Sequence, residues 1–198
     1  MQTGCGACLV SPTKQNNPST MGHKIRMAEQ DRIVKLAQRI DNVTRKDQHL
    51  LLTEVEVVEL RRQGAMELHS ACADLVASVN HLLSPPILEL TPPDYTAQMF
   101  RNSGVNLLQI NTQGRIVQLS FEATAGIFST EKFLIPYILE GEVRSYNQEM
   151  LERTQVRSQA LFYSLEESGN QWHYFDWLHG RSGVFGKDQL LGLLERLV

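Results

Sequence analysis

The sequence predicts an α+β protein in which a long N-terminal helical or coiled-coil segment precedes a small antiparallel sheet packed with helices. Two observations indicate this class. Residues 24–84 contain no Pro and a single Gly, and their apolar residues recur at alternating steps of four and three, the spacing of a coiled coil. After two Pro-Pro pairs, the pattern changes to short apolar runs separated by turn residues, which is typical of antiparallel strands.

The composition is that of an ordinary globular protein. The chain has 198 residues, of which 42% are hydrophobic, and a net charge of -3, so its overall charge does not favour a nucleic-acid or membrane partner. The sequence contains neither an apolar run long enough to span a bilayer nor a secretory segment. Three cysteines are too few for a secreted disulfide framework, and we therefore predict a cytoplasmic location.

Residues 1–22 are rich in Gly, Pro, Ser, Thr, Asn and Gln, which predicts a disordered leader. Cys5 and Cys8 within it have the C-x-x-C spacing of dithiol redox sites and of half a zinc site. No second pair of ligands accompanies them, and no helix start follows the first cysteine. We therefore predict neither a metal nor a redox role, and the cofactor stays unknown.

Residues 23–84 are predicted to form one long helix or a helical hairpin that turns near residues 41–47. A single rod of this length has too little protein beside it to cover its apolar stripe, so the sequence predicts a homo-oligomer paired through these helices. Polar residues Asp47, Glu54 and Arg61 interrupt the stripe and are predicted to fix its register. The residues predicted to mediate oligomerisation are Ile33, Ile40, Leu51, Val58, Leu68, Leu75, Val79 and Leu82.

Residues 85–104 are predicted to be a Pro-rich linker with a short helical stretch at 95–102. The α+β sheet domain is predicted over residues 105–198. It opens with a hairpin, in which strands at 105–110 and 115–121 flank a polar turn that ends at Gly114.

The segment at residues 129–155 allows two interpretations. Ser129 or Thr130 could cap a short helix, and residues 142–154 fit a second one, which is the interpretation we favour. In the alternative, residues 133–138 form an edge strand, where Pro136 is tolerated.

A second hairpin is predicted from strands at 160–165 and 171–178 with a turn at 167–170. An amphipathic helix is predicted from about Lys187, and its leucines cover one face of the sheet.

Two groups of residues have spacings that allow metal or acid–base chemistry. His173, Asp176 and His179 are spaced three apart, but in a strand the two histidines share a face and Asp176 points away. Glu140 and Glu142, followed by Arg144, align on one face only if the segment is a strand. No nucleophile elbow and no nucleotide-binding Gly-rich loop is present in the sequence, so an enzyme is the less favoured interpretation.

Aromatic residues are concentrated around the second hairpin. Trp and Tyr side chains on one face of a sheet can line a small-molecule pocket or an interface, although core packing alone is the favoured explanation. The predicted ligand- or partner-binding residues are Trp172, Tyr174, Trp177, Phe121 and Tyr163.

An apolar strand, a polar turn with Gly, a basic residue and Ile-Val follow one another in Leu107-Leu108-Gln109-Ile110-Asn111-Thr112-Gln113-Gly114-Arg115-Ile116-Val117. Later, a Gly turn precedes an aromatic strand in Glu166-Glu167-Ser168-Gly169-Asn170-Gln171-Trp172. Together these stretches resemble two hairpins of PAS domains, which are small sensory α+β domains. The resemblance implies a pocket between sheet and helices, and a signal passed to the adjoining helices. Where PAS strands often continue into Asn, this chain has Ser120 and Phe121, and its sheet domain lacks the cysteine of the flavin-binding members.

The function expected from the sequence is that of a non-enzymatic regulatory or sensory module, in which a PAS-like domain acts on a self-associating helical segment. The alternative is a structural coiled-coil interaction protein that docks a protein partner through its sheet.

Overall fold

The computed structural model describes residues 30, 32–40, 52–130, 133–166 and 168–198. The chain divides into two compact units, residues 1–48 and residues 49–198. In the first unit, residues 32–40 form helix α1, on which Ile33, Leu36 and Ile40 are exposed. The predicted leader, with Cys5 and Cys8, and the predicted oligomerisation residue Leu51 lie outside the described residues.

In its described residues, the second unit is a seven-stranded sheet with three α-helices. Its elements in chain order are α2 (Glu54–Asn80), β1 (Glu89–Thr91), β2 (Asn106–Thr112), β3 (Arg115–Thr130), β4 (Phe133–Tyr146), α3 (Gln148–Glu152), β5 (Arg157–Ser164), β6 (Gln171–Asp176), β7 (Arg181–Val184) and α4 (Lys187–Glu195). A single 3₁₀ turn at Ala97–Met99 is all that the described chain shows of the helical stretch predicted at 95–102.

Each strand from β2 to β7 pairs antiparallel with the strand that precedes it in the chain, so the strands lie in the sheet in the order β1 to β7. The first predicted hairpin is confirmed as β2 and β3, whose two-residue turn is Gln113 and Gly114. Both turn residues have positive φ, 52° and 83°, which matches the twist of antiparallel strands in a tight hairpin. The second predicted hairpin is confirmed as β5 and β6.

One face of the sheet, the core face, is covered by α2 and α4. Side chains alternate along each strand, and the residues that point toward the helices are almost fully buried. On the four central strands this buried set includes Leu108, Ile110, Val117, Leu119, Phe121, Leu139, Val143, Leu161 and Tyr163. Helix α4 confirms the predicted C-terminal helix and contributes Leu190, Leu193 and Leu194 to the same core.

The predicted fold class is wrong in its proportions, because the sheet is large and the helix on it is shorter than predicted. Helix α2 does not continue an N-terminal rod, since Thr53 caps its first turn. The Thr53 hydroxyl accepts from the Glu56 N–H at 3.3 Å, and the Glu56 carboxylate accepts from the Thr53 N–H at 2.8 Å. Such a reciprocal capping box satisfies backbone donors that a continuing helix would have bonded internally.

The apolar stripe of α2 is covered by the protein's own sheet. Leu68 and Leu75 are each 1% exposed within the sheet–helix core, and Val58 and Val79 are half-buried. Over a few turns, apolar residues have the same spacing in a coiled-coil helix and in a helix packed on a sheet, because each of these helices has one apolar side. The burial of Leu68 and Leu75 removes the sequence argument that this part of the stripe needs a second chain. Leu82, by contrast, is 84% exposed beyond the end of α2.

The helices favoured at residues 129–155 are also a wrong prediction, because β4 runs through most of that segment. It is a central strand between β3 and β5, and among the described residues of this segment only the five of α3 are helical. Pro136 lies where the ladder to β5 is irregular, next to a register shift between Tyr137 and Leu139. Where the ladder of hydrogen bonds is irregular, not every residue has to donate its backbone N–H. Pro136, which has no N–H, can therefore lie in a strand that is not at the edge of the sheet.

The chain turns from α2 into β1 through the side chain of Asn80. Its Oδ1 accepts from the N–H groups of Ile87 and Leu88, at 3.1 and 3.0 Å, and its amide donates to the Leu88 carbonyl at 2.8 Å. Farther along the linker, His69 of α2 stacks on Tyr95. The segment predicted as a linker is therefore bonded to the helix that precedes it. Within the described residues, no helix combines the length and the apolarity needed to cross a bilayer.

Candidate ligand site at the end of the sheet

The turn between β6 and β7 is built around Asp176. Its Oδ1 accepts from the N–H groups of Leu178 and His179, at 3.0 and 3.2 Å, and its Oδ2 lies 2.9 Å from His179 Nδ1. Gly180 closes the turn with a φ of +61°. Asp at the start and Gly at the positive-φ position are the residues that such turns favour. Strand β6 thus ends at Asp176, and His179 lies on the turn.

This geometry separates the three residues that the sequence spaced evenly. Asp176 and His179 meet, whereas His173 lies on the opposite face of β6, where its Nε2 is 2.5 Å from a Glu166 carboxylate oxygen. The prediction that Asp176 points away from both histidines is therefore wrong, because the strand ends before His179. In the described part of the chain, no group of three or more His, Cys, Asp or Glu residues is arranged to hold a metal ion.

The charge of Asp176 is already balanced by local donors. Burial by itself would raise its pKa, but hydrogen bonds from the His179 side chain and N–H and from Gln159 outweigh burial, and the pKa lies below its usual value. Gln159 is 8% exposed and in turn accepts from Gln189 at 2.9 Å. The Asp176 carboxylate is thus held in place by these hydrogen bonds and stays ionised near neutral pH.

Three arginines surround the same end of the core face. Arg157 is the first residue of β5, Arg181 is the first of β7, and Arg196 follows α4. All three are exposed, and none forms an ion pair with any described residue. Arg181 is the register partner of Asp176, yet the carboxylate is bonded to His179 and Gln159 instead. The arrangement leaves three guanidinium groups with their donors available to a ligand.

These residues enclose a cavity of about 930 Å³, here named the arginine cavity. This volume lies within the range of small-molecule sites. Its apolar surface comes from Val156, Leu178, Leu193 and Trp177, and Asp176 is its only acidic residue among the described ones. The full lining is Gln155, Val156, Arg157, Ser158, Gln159, Asp176, Trp177, Leu178, His179, Arg181, Leu193 and Arg196. Such a site fits a ligand with an anionic group and an apolar or aromatic part.

A second cavity, here named the outer groove, lies on the face of the sheet opposite α2 and has a volume of about 570 Å³. Glu140, Glu142 and Arg144 do align on this face, as expected of a strand. Glu142 is bound by Arg144 and by the Ser158 hydroxyl, so one carboxylate is neutralised locally. The lining is Val105, Ser120, Phe121, Glu122, Glu140, Gly141, Glu142, Ser158, Ala160, Phe162 and Trp177.

The predicted aromatic binding residues mostly belong to the core. Phe121, Tyr163 and Trp172 are at most 4% exposed. The ring centroid of Trp172 lies 5.4 Å from the ring centroid of each of the other two. Tyr174 is half-buried on the same face and packs near Gly183. Only Trp177, which is 51% exposed, borders both the arginine cavity and the outer groove. The residues predicted to form one binding site are thus separated, because most of them lie in the core and Trp177 lies at the surface.

Sequence reasoning missed the three arginines. They are 24 and 15 positions apart, since they are residues 157, 181 and 196, and no motif connects them. In the predicted organisation, Arg157 and Arg181 lie between elements and Arg196 lies within the C-terminal helix, so their predicted positions do not connect them. Bringing them together requires the pairing of β7 with β6 and the packing position of α4, neither of which the sequence pattern provides.

Comparisons with known proteins do not identify the chain. No protein-family model, no curated protein and no solved structure matches it. The resemblance to PAS domains therefore stays a prediction.

Proposed function

We propose that this protein is a non-enzymatic binding module of the regulatory or sensory kind, and that its second unit takes an anionic ligand in the arginine cavity. The observation that carries the proposal is the convergence of Arg157, Arg181 and Arg196 without an ion pair among the described residues. Guanidinium groups brought together repel one another, and an anion removes that repulsion while accepting several hydrogen bonds. The neighbouring Trp177 and Leu178 supply an apolar surface for the rest of the ligand.

The wall of the cavity supports binding better than catalysis. Asp176 and His179 are bonded to each other, but the described lining residues include no cysteine, lysine or tyrosine, and the one serine among them is Ser158, whose hydroxyl donates to Glu142. A nucleophile in the arginine cavity would need its base there, whereas the Ser158 hydroxyl is bonded to Glu142, which lines the outer groove and not the arginine cavity. We therefore assign the cavity a binding role.

Isothermal titration of the full chain with AMP, citrate and uncharged adenosine tests the proposal. We expect AMP or citrate to bind and adenosine to bind at least tenfold more weakly. Arg181→Gln should weaken the binding of the anions about tenfold, which corresponds to one guanidinium contact. Arg62→Gln is the matched control, because Arg62 lies on the exposed side of α2 and pairs with Glu59. Equal binding by both variants, or no binding of either anion, would contradict the proposal.

The second candidate function is docking of a protein partner through the sheet. It is favoured by the outer groove, where Trp177 and Phe162 lie beside Glu122 and Glu140. Glu122→Lys would abolish capture of such a partner and leave AMP binding unchanged.

Self-association through the N-terminal unit is part of the proposal. The apolar residues Ile33, Leu36, Ala37 and Ile40 of α1 follow helical spacing, and all are exposed within that unit. A helix of this length is marginal in water without a packing partner. Light scattering on the full chain should give more than one copy per particle, and the double variant Ile33→Glu/Ile40→Glu should be a monomer. A monomeric wild-type chain would contradict the proposed self-association.

The proposal places the protein in the cytoplasm, which fits the free buried thiol of Cys72. Fractionation of cells that express a tagged chain would test this location.

A further inference from the structure

The hydroxyl of Ser145 is buried without a hydrogen-bond partner among the described residues. Ser145 is 1% exposed and lies on the core face of β4. Buried hydroxyl groups are nearly always bonded in folded proteins, because leaving one unpaired costs free energy. An unpaired hydroxyl beside a cavity is therefore a sign that something outside the described chain completes its bonding.

Ser145 lines a cavity of about 380 Å³, here named the Ser145 cavity, whose residues are Ser145, Met150, Gln155, Arg157, Arg196 and Leu197. Arg157 and Arg196 line both this cavity and the arginine cavity. Arg157 is also the register partner of Ser145, so the two side chains leave adjacent strands on the same face. Among the described residues, no acidic one contributes to the lining.

The backbone around the Ser145 cavity is held by hydrogen bonds that do not involve Arg157 or Arg196. Asn147 caps α3 by accepting from the Met150 N–H at 2.8 Å, and the Gln155 N–H donates to the Met150 carbonyl at 2.8 Å. On the opposite side, Arg115 Nε donates to the Leu197 carbonyl at 2.9 Å. The backbone around the cavity is thus fixed, while the guanidinium groups of Arg157 and Arg196 are exposed and have no ion pair among the described residues.

We infer that the Ser145 cavity holds the charged group of the ligand, and that this group is a phosphate monoester. The inference rests on the proposed function and names its ligand class. Two guanidinium groups, a hydroxyl and the Gln155 amide present donors from several directions. A phosphate monoester has three terminal oxygens in a tetrahedral arrangement and can accept from all of them, whereas a carboxylate has two oxygens in one plane. The remainder of the ligand extends past Arg157 and Arg196 into the arginine cavity.

Ser145→Ala tests the inference, with Ser164→Ala as the matched control. Ser164 carries the other buried hydroxyl without a partner in the described chain, is 0% exposed and lines none of the three cavities. Thermal unfolding of both variants shows whether each is folded. Removing an unpaired buried hydroxyl should leave both at least as stable as the wild type.

Titration of the full chain with AMP should show a five- to twentyfold loss of affinity in Ser145→Ala and no loss in Ser164→Ala. Citrate, which lacks phosphate, should bind Ser145→Ala as it binds the wild type. The ³¹P resonance of AMP should shift on binding to the wild type and shift less on Ser145→Ala. Inorganic phosphate and O-phosphoserine, titrated in parallel, distinguish a free phosphate, a nucleotide-like ligand and a phosphorylated side chain as the source of the group.

Two outcomes would overturn the inference and can be told apart from failure of the proposed function. If AMP binds and Arg181→Gln weakens it while Ser145→Ala does not, the arginine cavity binds anions but the phosphate lies elsewhere. If citrate binds the wild type and no phosphate compound does, the ligand class is wrong. If no anion binds the wild type at all, the proposed function fails together with the inference.

Discussion

The indole Nε1 of Trp172 donates a 2.7 Å hydrogen bond to the backbone carbonyl of Gly64, 108 positions earlier in the chain. This bond connects β6 to the middle of α2 within the core. The glycine makes it possible, because a Cβ at position 64 would lie 2.7 Å from two ring carbons of Tyr163. This contact between helix and sheet therefore depends on one residue without a side chain and on the aromatic residues Trp172 and Tyr163.

Trp172→Ala should destabilise the second unit, and Trp177→Ala should not. Loss of a buried aromatic side chain lowers the free energy of unfolding by roughly 3–5 kcal/mol, whereas substitution of the half-exposed Trp177 should change it by less than about 1 kcal/mol. Chemical denaturation followed by circular dichroism measures both. Equal destabilisation would contradict the assignment of Trp177 to the surface.

Gly64→Ala should lower the free energy of unfolding by about 1–3 kcal/mol, since the new methyl group must displace the Tyr163 ring. Gly192→Ala in α4 is the control, because a Cβ there meets nothing within 4 Å. Alanine is preferred to glycine in a helix, so this control should be neutral or stabilised by up to about 1 kcal/mol. A fully stable Gly64→Ala protein would show that the helix can move away from the sheet at no cost.

Arg61→Met should be strongly destabilising. The buried guanidinium donates to the carbonyls of Ile138 and Thr124, at 3.1 and 2.5 Å, and to Asn102 Oδ1 at 3.0 Å. Methionine keeps much of the apolar stem but leaves the acceptors unpaired, so we expect a loss of roughly 2–4 kcal/mol. Arg62→Met on the exposed side of α2 should change stability by less than about 1 kcal/mol. The denaturant midpoints of the two variants, measured side by side, test this difference in stability.

The Cys72 thiol should be unreactive in the folded protein. Burial raises its pKa to about 12, so almost no thiolate exists near neutral pH, and the side chain is 0% exposed. In a Cys5→Ser/Cys8→Ser variant, reaction with Ellman's reagent should proceed only as fast as the second unit opens. Rapid reaction at pH 8 without denaturant would show that α2 leaves the sheet readily.

Asp176 should stabilise the fold at neutral pH and lose that effect in acid. Its pKa is lower in the folded protein than in the unfolded chain, since the hydrogen bonds from His179 and Gln159 outweigh burial. The stabilisation is therefore complete above the unfolded pKa, about 3.9, and disappears as the pH falls through the lower folded value. The difference in free energy of unfolding between wild type and Asp176→Asn should accordingly narrow between about pH 5 and pH 2. A difference that is constant across this range would show that ionisation of Asp176 is not involved.

The sequence by itself determined the two hairpins and the C-terminal helix. Gly114 and the alternating apolar residues around it predict a tight turn between strands, and the leucines after Lys187 predict a helix with one apolar side. Such features are encoded within about 15 neighbouring residues, by turn residues and by the period of the apolar pattern, and they do not depend on distant contacts.

Only the tertiary structure decided what covers α2 and where the candidate site lies. The stripe containing Leu68 and Leu75 has one apolar side whether a second helix or a sheet covers it, so periodicity could not distinguish a coiled coil from a core helix. Strand β4 is stabilised by pairing with β3 on one side and β5 on the other, and the local pattern of residues 129–155, which we interpreted as helical, does not specify those partners. Ser145, Arg157 and Arg196 meet through strand register and the packing of α4, which are long-range contacts that no local pattern specifies.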